Sequence, residues 1–318
     1  MTAATSATPS VLEARDHEEL RAQFGERVRF DELLAPYTWW KIGGPADAFI
    51  VVETSEDIAF LMRMCLRRKL PWFVLGNGSN VLVGDGGMRG LVLRLGGAFG
   101  AIGFDETDAT HVNVNAGASA SLALLVAQAA TRGAIGIDGL AGVPGTVGGS
   151  LFMNAGTDRE IGEFVREVYV HTLNKPDAHP VSVQYYYRHT TLDRDAIVSR
   201  VVLAFERGEP TVVRERLQER LVRRKATQPL QWPNAGSCFR NPPGDKAGRL
   251  IEAVGAKGWR VGGAEVSGMH ANFIVNTDGA RALDVTTLLA RVRRAVGDTF
   301  GVDLQLEVHL VGEFVAEM

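Results

Sequence analysis

The sequence predicts an α+β fold divided into two or three domains, and three observations carry that expectation. The chain has 318 residues, against ~150 for a typical domain, so a single core would be unusually large. Period-two apolar runs and amphipathic helical stretches interleave without the strict alternation of a βαβ array. Glycine supplies 36 of the 318 residues, more than the usual ~7%. It gathers in two clusters, where backbone must turn tightly or approach something closely.

The elements follow in order. Ala48–Val52 is a short apolar run that suits a buried strand, and Ser55-Glu-Asp opens a helix whose Ile58, Leu61, Met62, Cys65 and Leu66 share one face. Trp72–Leu75, Val81–Val83 and Leu91–Leu93 read as strands, closing a first block near residue 95. In a second block, His111–Asn115 alternates as a strand, and Ser119 opens a helix through Thr131 that Gly133 can close. Val165–Leu173, Val181–Tyr187 and Ile197–Phe205 are β-rich and lead to a boundary near 207. The last block holds helices over Val212–Lys225 and Ala247–Val254 and a strand over Asn272–Asn276. An amphipathic helix then carries Val285, Leu288, Leu289, Val292 and Val296 on one face. Leu304–Leu310 closes as a period-two strand, with Gln305, Glu307 and His309 on the face away from its leucines and valine.

Composition excludes several functions. Acids number 37 and bases 34, a net charge of −3, so no global positive field exists to hold nucleic acid or an anionic membrane. Cys65 and Cys238 stand far apart with no metal-ligand spacing, which predicts neither a metal site nor a disulfide and fits a reducing compartment. Met1–Ser10 has no basic-then-apolar pattern and reads as a flexible leader. The uncharged stretch Gly139–Gly156 carries Pro144 and six glycines, unsuited to a lipid-spanning helix. A cytoplasmic protein without membrane insertion is expected.

Gly76-Asn-Gly-Ser-Asn80 follows a strand but lacks the Lys-Ser/Thr of a Walker loop, and Val81 continues as strand where a dinucleotide fingerprint needs a helix. It is either a hairpin turn or a cradle of amides for a pyrophosphate. From Gly133 to Gly148 glycine recurs at every third position, but the run is short, with a single proline, and is no collagen repeat. Ile135, Ile137, Leu140, Val143 and Val147 make it too apolar for a slack linker. A buried loop is expected, offering Thr146 and nearby amides to a flat or polyanionic ligand.

Longer motifs identify a family. Thr38-Trp-Trp-Lys-Ile-Gly-Gly-Pro-Ala46, Leu75–Val83, Gly139–Gly149 and Met153-Asn-Ala-Gly156 come first. Tyr187-Arg188, Ala235-Gly-Ser-Cys-Phe-Arg-Asn-Pro242, Met269–Asn276 and Leu306-Glu-Val-His-Leu310 follow in the same order. Over roughly residues 30–312 the chain resembles the UDP-N-acetylenolpyruvoylglucosamine reductase family, flavoenzymes of peptidoglycan precursor synthesis.

That resemblance implies an N-terminal extension (1–29), two FAD-binding subdomains (30–95 and 96–207) of the vanillyl-alcohol oxidase type, and a substrate-binding domain (208–318). It implies non-covalent FAD held by Gly76, Asn77, Gly78, Ser79 and Asn80 and by Gly145, Thr146, Gly148 and Gly149. NADPH is the implied co-substrate and UDP-N-acetylglucosamine enolpyruvate the substrate. The short path from Tyr187-Arg188 to the Gly-Ser-Cys motif resembles the subgroup without an extra substrate-covering loop.

By the same resemblance Arg188, Ser237 and Glu307 are catalytic. Adding a hydride to the vinyl carbon builds an enolate-like charge beside a carboxylate, which calls for a cation or acid and a proton donor. Arginine suits a carboxylate because its planar fork gives two parallel bonds. Ser237 is the proton donor; a carbon beside a developing enolate is basic enough to take a hydroxyl proton. Tyr187 and Asn241 match substrate-binding positions. Arg214–Lys225 holds six bases and two acids, and its end, Arg224-Lys225, is expected to meet a diphosphate. Two other readings remain. Another FAD-dependent oxidase or dehydrogenase of the superfamily would lack the Ser237 and Glu307 motifs; a silent sugar-nucleotide sensor would have lost one of the three catalytic residues.

Overall fold

A computed structural model describes residues 9–105 and 107–314. The leader assigned to the start of the chain lies outside the described residues up to position 8. The chain forms two compact units that it enters by turns: one from the N-terminus to Phe49, Asn77–Val92 and from Thr227 on, the other Ile50–Gly76 and Leu93–Ala226.

The second unit is built on a five-stranded antiparallel sheet, in spatial order Ile102–Asp105, His111–Gly117, Ala196–Glu206, Val165–Thr172 and Lys175–Val181. Val112, Val114 and Ala116 alternate inward, as do Val201, Leu203 and Phe205, and they share a core with Leu122, Leu125, Val126 and Ala129 of the Leu122–Ala130 helix. The Ser55–Arg68 helix packs against the Val165–Thr172 and Lys175–Val181 strands. Thr54 caps it by accepting from Asp57 N, so the Ser55 start holds to within one residue.

Two expectations in this unit need correction. The helix expected from Ser119 begins at Leu122, with Ser121 as its cap. Ala118 N still donates to Ser199 O and Ser119 N to Phe99 O, so those residues are tied outside the helix and cannot enter it. The run Val181–Tyr187 is not one strand. The chain leaves the sheet after Val181, and Tyr185–Tyr186 forms a small hairpin with His189–Thr190, in which Tyr187 and Arg188 are the turn.

The first unit places Val28–Leu33 beside Pro45–Val52, which neighbours Met88–Leu95. Its core gathers Trp40, Ile42 and Leu82 with the predicted apolar face of the Ala282–Phe300 helix, all five of whose residues are buried. That helix packs on the three-stranded antiparallel sheet Arg260–Val261, Ala264–Val266 and Ile274–Asn276. Trp40 is fully buried, and its indole N–H donates to Ile274 O at 2.8 Å while Asn276 Nδ2 donates to Trp40 O at 2.9 Å. The tryptophan of the Thr38–Ala46 motif is therefore an anchor with its polar edge satisfied.

Leu304–Leu310 is not a continuous strand either. Only His309–Val311 is, paired in parallel with Val81–Val83. Residues before it follow a different neighbour, with an isolated bridge from Leu306 to Phe239. The change of partner breaks the alternation, so Leu304 and Val308 are buried whereas Leu310 is exposed.

Candidate active site

In the first unit the residues around Ser237 are positioned by backbone. Gly236 turns the chain with φ 76°, and its N–H donates to the side chain of Asn234 at 2.9 Å. Half-buried Ser237 follows, and the chain beyond it is bracketed by Asn272. Cys238 N donates to Asn272 O (2.8 Å), Phe239 N to Asn272 Oδ1 (3.0 Å), and Asn272 Nδ2 back to Phe239 O (2.8 Å). Burial pushes the Cys238 thiol up to about 12, which makes it a filler beside the serine and not a nucleophile.

Glu307 lies on the adjoining stretch, its N–H donating to Cys238 O at 2.8 Å. Asn80 grips the same stretch from the first glycine loop: its Nδ2 donates to Glu307 O at 3.2 Å, and its carbonyl accepts from His309 N at 3.1 Å. Ser237, Glu307 and the Asn77–Asn80 loop are thus brought together within one unit. Asn241 also belongs there, its Oδ1 accepting from Ala247 N at the start of the Ala247–Ala253 helix.

The loop itself has the makings of an anion cradle. Gly78 stands at φ 62°, and a Cβ there would fall 2.3 Å from Tyr37 O. Trp39 N donates to Gly78 O at 3.0 Å, fixing the turn. Among the described residues, the backbone N–H groups of Asn77, Gly78 and Asn80 meet no protein acceptor. Donors left unpaired in a fixed turn need water or an anion, and the pyrophosphate of a dinucleotide fits them.

The second unit holds the other expected residues. Arg188 sits in the hairpin turn with φ 55°; its Nη1 donates to Glu160 Oε1 at 3.1 Å and its Nη2 to Gly156 O at 2.7 Å. Its guanidinium lies 4.8 Å from the centre of the Tyr187 ring, itself partly exposed. Gly76 abuts Thr146, whose Oγ1 would lie 3.0 Å from a Cβ at that glycine. Thr146 caps the Val147–Phe152 helix by accepting from Gly149 N. Val147 N and Gly148 N donate to Ala120 O and Ala118 O. Of the amides near Thr146, those of 147–149 are engaged inside the fold, whereas those of Gly145 and Thr146 meet no protein acceptor among the described residues. Arg224 packs along Gly142 of the same loop, and burial lowers its pKa, whereas Lys225 is exposed. Arg220, from the same basic run, is held by Asp138 and Asp158 and serves structure.

Sequence reasoning missed Asn154 and Glu160. Asn154 stood inside a quoted motif, but an asparagine in Met-Asn-Ala-Gly carries no local mark of a left-handed backbone, and Glu160 reads as an ordinary surface acid.

An FAD-binding-domain family model matches residues 46–174, and a model of the UDP-N-acetylenolpyruvoylglucosamine reductase C-terminal domain matches 228–311. Fold and matches together define an FAD-binding flavoprotein with a mixed α+β architecture and a second, distinct C-terminal domain. The UDP-N-acetylenolpyruvoylglucosamine reductase of Moorella thermoacetica is 42% identical over 303 residues, covering 93% of this chain and 97% of that relative. A second such reductase, from Symbiobacterium thermophilum, is 44% identical over 292 residues, 90% of this chain and 92% of its own length. The crystal structure of the enzyme from Thermus caldophilus superposes with a TM-score of 0.76 at 39% identity, covering 89% of this chain and 99% of that one. The chain belongs to the UDP-N-acetylenolpyruvoylglucosamine reductase family, FAD-dependent oxidoreductases of peptidoglycan precursor synthesis.

Proposed function

We propose that this chain reduces UDP-N-acetylglucosamine enolpyruvate to UDP-N-acetylmuramate at the expense of NADPH, with Arg188, Ser237 and Glu307 as its catalytic residues. The observation that carries the reading is the convergence of Ser237, Glu307 and the unpaired loop amides within one unit. Bound FAD supplies the hydride that reaches the terminal vinyl carbon.

Ser237 gives its hydroxyl proton to the adjacent carbon as enolate character develops there. Gly236 and the Asn272 bracket hold its backbone on both sides, so its hydroxyl needs little rearrangement in the transition state. Glu307 sits beside it and polarises the developing enolate. Arg188 receives the substrate's carboxylate through charge-assisted bonds. Asn77, Gly78, Ser79 and Asn80 hold the cofactor's pyrophosphate, and Gly76, Gly145, Thr146, Gly148 and Gly149 give it close passage. No cysteine or histidine occurs in the first loop, in keeping with non-covalent binding. Arg224 and Lys225 meet a diphosphate, and the half-buried Arg224 gains more from an anion because partial burial disfavours its charge. Tyr187 and Asn241 contact the sugar nucleotide.

The division into 1–29, 30–95, 96–207 and 208–318 is proposed on the same reading, supported by family matches falling at 46–174 and 228–311. The subgroup without an extra covering loop is supported by the short hairpin at Tyr187-Arg188, which leads through Ala196–Glu206 directly into the Pro210–Thr227 helix. A cytoplasmic site of action suits a soluble nucleotide-sugar substrate. Among the described residues, no helix is long and apolar enough to cross a membrane.

Anaerobic absorbance tests the whole reading. The flavin band of the holoenzyme should bleach with NADPH and return with the enolpyruvyl sugar nucleotide. In Ser237→Ala, bleaching should persist while the return slows roughly 100-fold or more. Equal loss of both steps would remove Ser237 from its role, and a flavin that stays reduced in the wild type would remove the substrate.

A further inference from the structure

The turn that carries Arg188 is strained, and the Glu160 carboxylate helps to bind it down. Among the described residues five non-glycine residues have positive φ, and two of them, Asn154 (φ 43°) and Arg188 (φ 55°), meet at Glu160. Left-handed backbone is tolerated by asparagine but disfavoured for arginine, and it persists only where surroundings enforce it. Here they do. Asn154 is buried; its Nδ2 donates to Glu160 Oε2 at 2.5 Å and to Tyr186 O at 2.9 Å, while its Oδ1 accepts from Gly162 N at 3.0 Å. Glu160's other oxygen accepts from Arg188, and Gly156 O takes a second guanidinium N–H.

These bonds fix both the hairpin, through the Tyr186 carbonyl, and the guanidinium, through Glu160. The pair is well shielded, with 14% of the Arg188 and 24% of the Glu160 side chain exposed. Burial raises the Glu160 pKa while the neighbouring Arg188 charge pulls it down, so ionised Glu160 depends on Arg188 for company. A solvated ion pair would need neither the buried asparagine nor the backbone strain.

We propose that Glu160 and Asn154 are positioning residues for Arg188, holding its guanidinium in the one orientation that meets the substrate's carboxylate. This rests on the reading of Arg188 as the carboxylate-binding group, and the tests separate the two. Stopped-flow absorbance on the FAD-loaded enzyme follows NADPH-driven bleaching and substrate-driven return separately, and the spectral shift on adding substrate to oxidised enzyme gives its affinity. Glu160→Ala should slow the return step by roughly 10- to 100-fold, the range that misplacement of a binding group produces. It should weaken substrate binding and leave bleaching within about threefold of wild type.

Glu160→Gln keeps an acceptor for Arg188 and should recover part of the loss. In an Arg188→Ala background, Glu160→Ala should add nothing, because a residue acting through Arg188 has nothing left to act on. Asn154→Gly, which suits the left-handed backbone while deleting the amide, should slow the return step while leaving bleaching within about threefold of wild type. Additive losses in the double variant would overturn the proposal, as would equal slowing of both steps, or a wild-type return step in Asn154→Gly and Glu160→Gln together. Should Arg188→Ala itself return at the wild-type rate, the catalytic reading of Arg188 falls, and this proposal falls with it for a reason visible apart from Glu160.

Discussion

Gly78→Ala is the sharpest probe of the first loop. The backbone there is left-handed, a conformation that costs an alanine ~1–2 kcal/mol. An ideal Cβ would lie 2.3 Å from Tyr37 O and 2.7 Å from Thr38 Cα, where ordinary contact begins at 3.4 Å. Both obstacles are backbone, so no side chain can swing aside; the loop must move by about 1 Å. That movement breaks or lengthens the bond from Trp39 N to Gly78 O, worth ~1 kcal/mol. Together the costs come to roughly 2–3 kcal/mol, and the unpaired amides of Asn77, Gly78 and Asn80 move with the loop. If most of that cost falls on cofactor binding, FAD affinity drops by roughly 30- to 150-fold. The assay is titration of apoprotein with FAD, read by flavin fluorescence, alongside thermal denaturation. Gly255→Ala is the control, because Gly255 is also left-handed at φ 71° but a Cβ there would meet nothing within 4 Å. The control should lose ~1–2 kcal/mol of stability and bind FAD normally. Wild-type FAD affinity in Gly78→Ala would refute the cradle.

Three further outcomes follow from groups away from the chemistry. Asp85 accepts from Ala282 N at 2.8 Å and Leu283 N at 3.0 Å, capping the Ala282–Phe300 helix from 197 positions upstream; Asp85→Ala should cost ~1–2 kcal/mol in urea unfolding, with Asn restoring part of it. Burial pushes the thiols of Cys65 and Cys238 up to about 12, so an aromatic disulfide reagent should label neither in the native protein and both after denaturation. His171 is fully buried, with Nδ1–H donating to Pro176 O at 2.7 Å and Nε2 lacking a partner among the described residues; burial first, and the charge of His179 after it, lower its pKa below 6.5. The unfolded chain therefore takes up a proton that the native state refuses, and stability should fall as pH drops below about 6.5, by at most ~1.4 kcal/mol per pH unit for this residue. His171→Gln should flatten the fall in melting temperature between pH 7 and 5.5; an unchanged slope would assign the acid sensitivity elsewhere.

What could be read from the sequence was what local periodicity decides. The Ala282–Phe300 helix was legible because five apolar residues at helical spacing all face one core, and Ala196–Glu206 because a strand paired on both sides needs its long run of apolar residues. The errors fall where a residue's partner lies far along the chain. Leu304–Leu310 alternates like a strand, yet its neighbour changes from the Cys238–Arg240 segment to Val81–Val83 within seven residues, and no local pattern announces that exchange. Tyr185-Tyr-Tyr187 looks like the end of a strand; a two-residue turn containing an arginine at φ 55° is a conformation that sequence statistics reserve for glycine or asparagine.

The site divides along the same line. Ser237, Glu307 and the first glycine loop stood out in the sequence because their neighbours form long, distinctive motifs, and the structure joins them through backbone bonds and the Asn80 side chain. Around Thr146 the expectation divides: the amides of 147–149 are engaged by Ala118, Ala120 and Thr146 itself, while those of Gly145 and Thr146 meet no protein acceptor among the described residues. Glycine there buys proximity, since at Gly148 a Cβ would strike Ala118 at 2.9 Å. Arg188 was legible as a residue and illegible as a geometry. Its guanidinium is aimed by Glu160, its turn is tied by Asn154, and each of those reads locally as unremarkable polar surface. A motif search recovers groups that touch a ligand through sequence neighbours. The groups that aim them through space become visible only when strain and hydrogen bonding are read together, and in this chain both converge on one carboxylate.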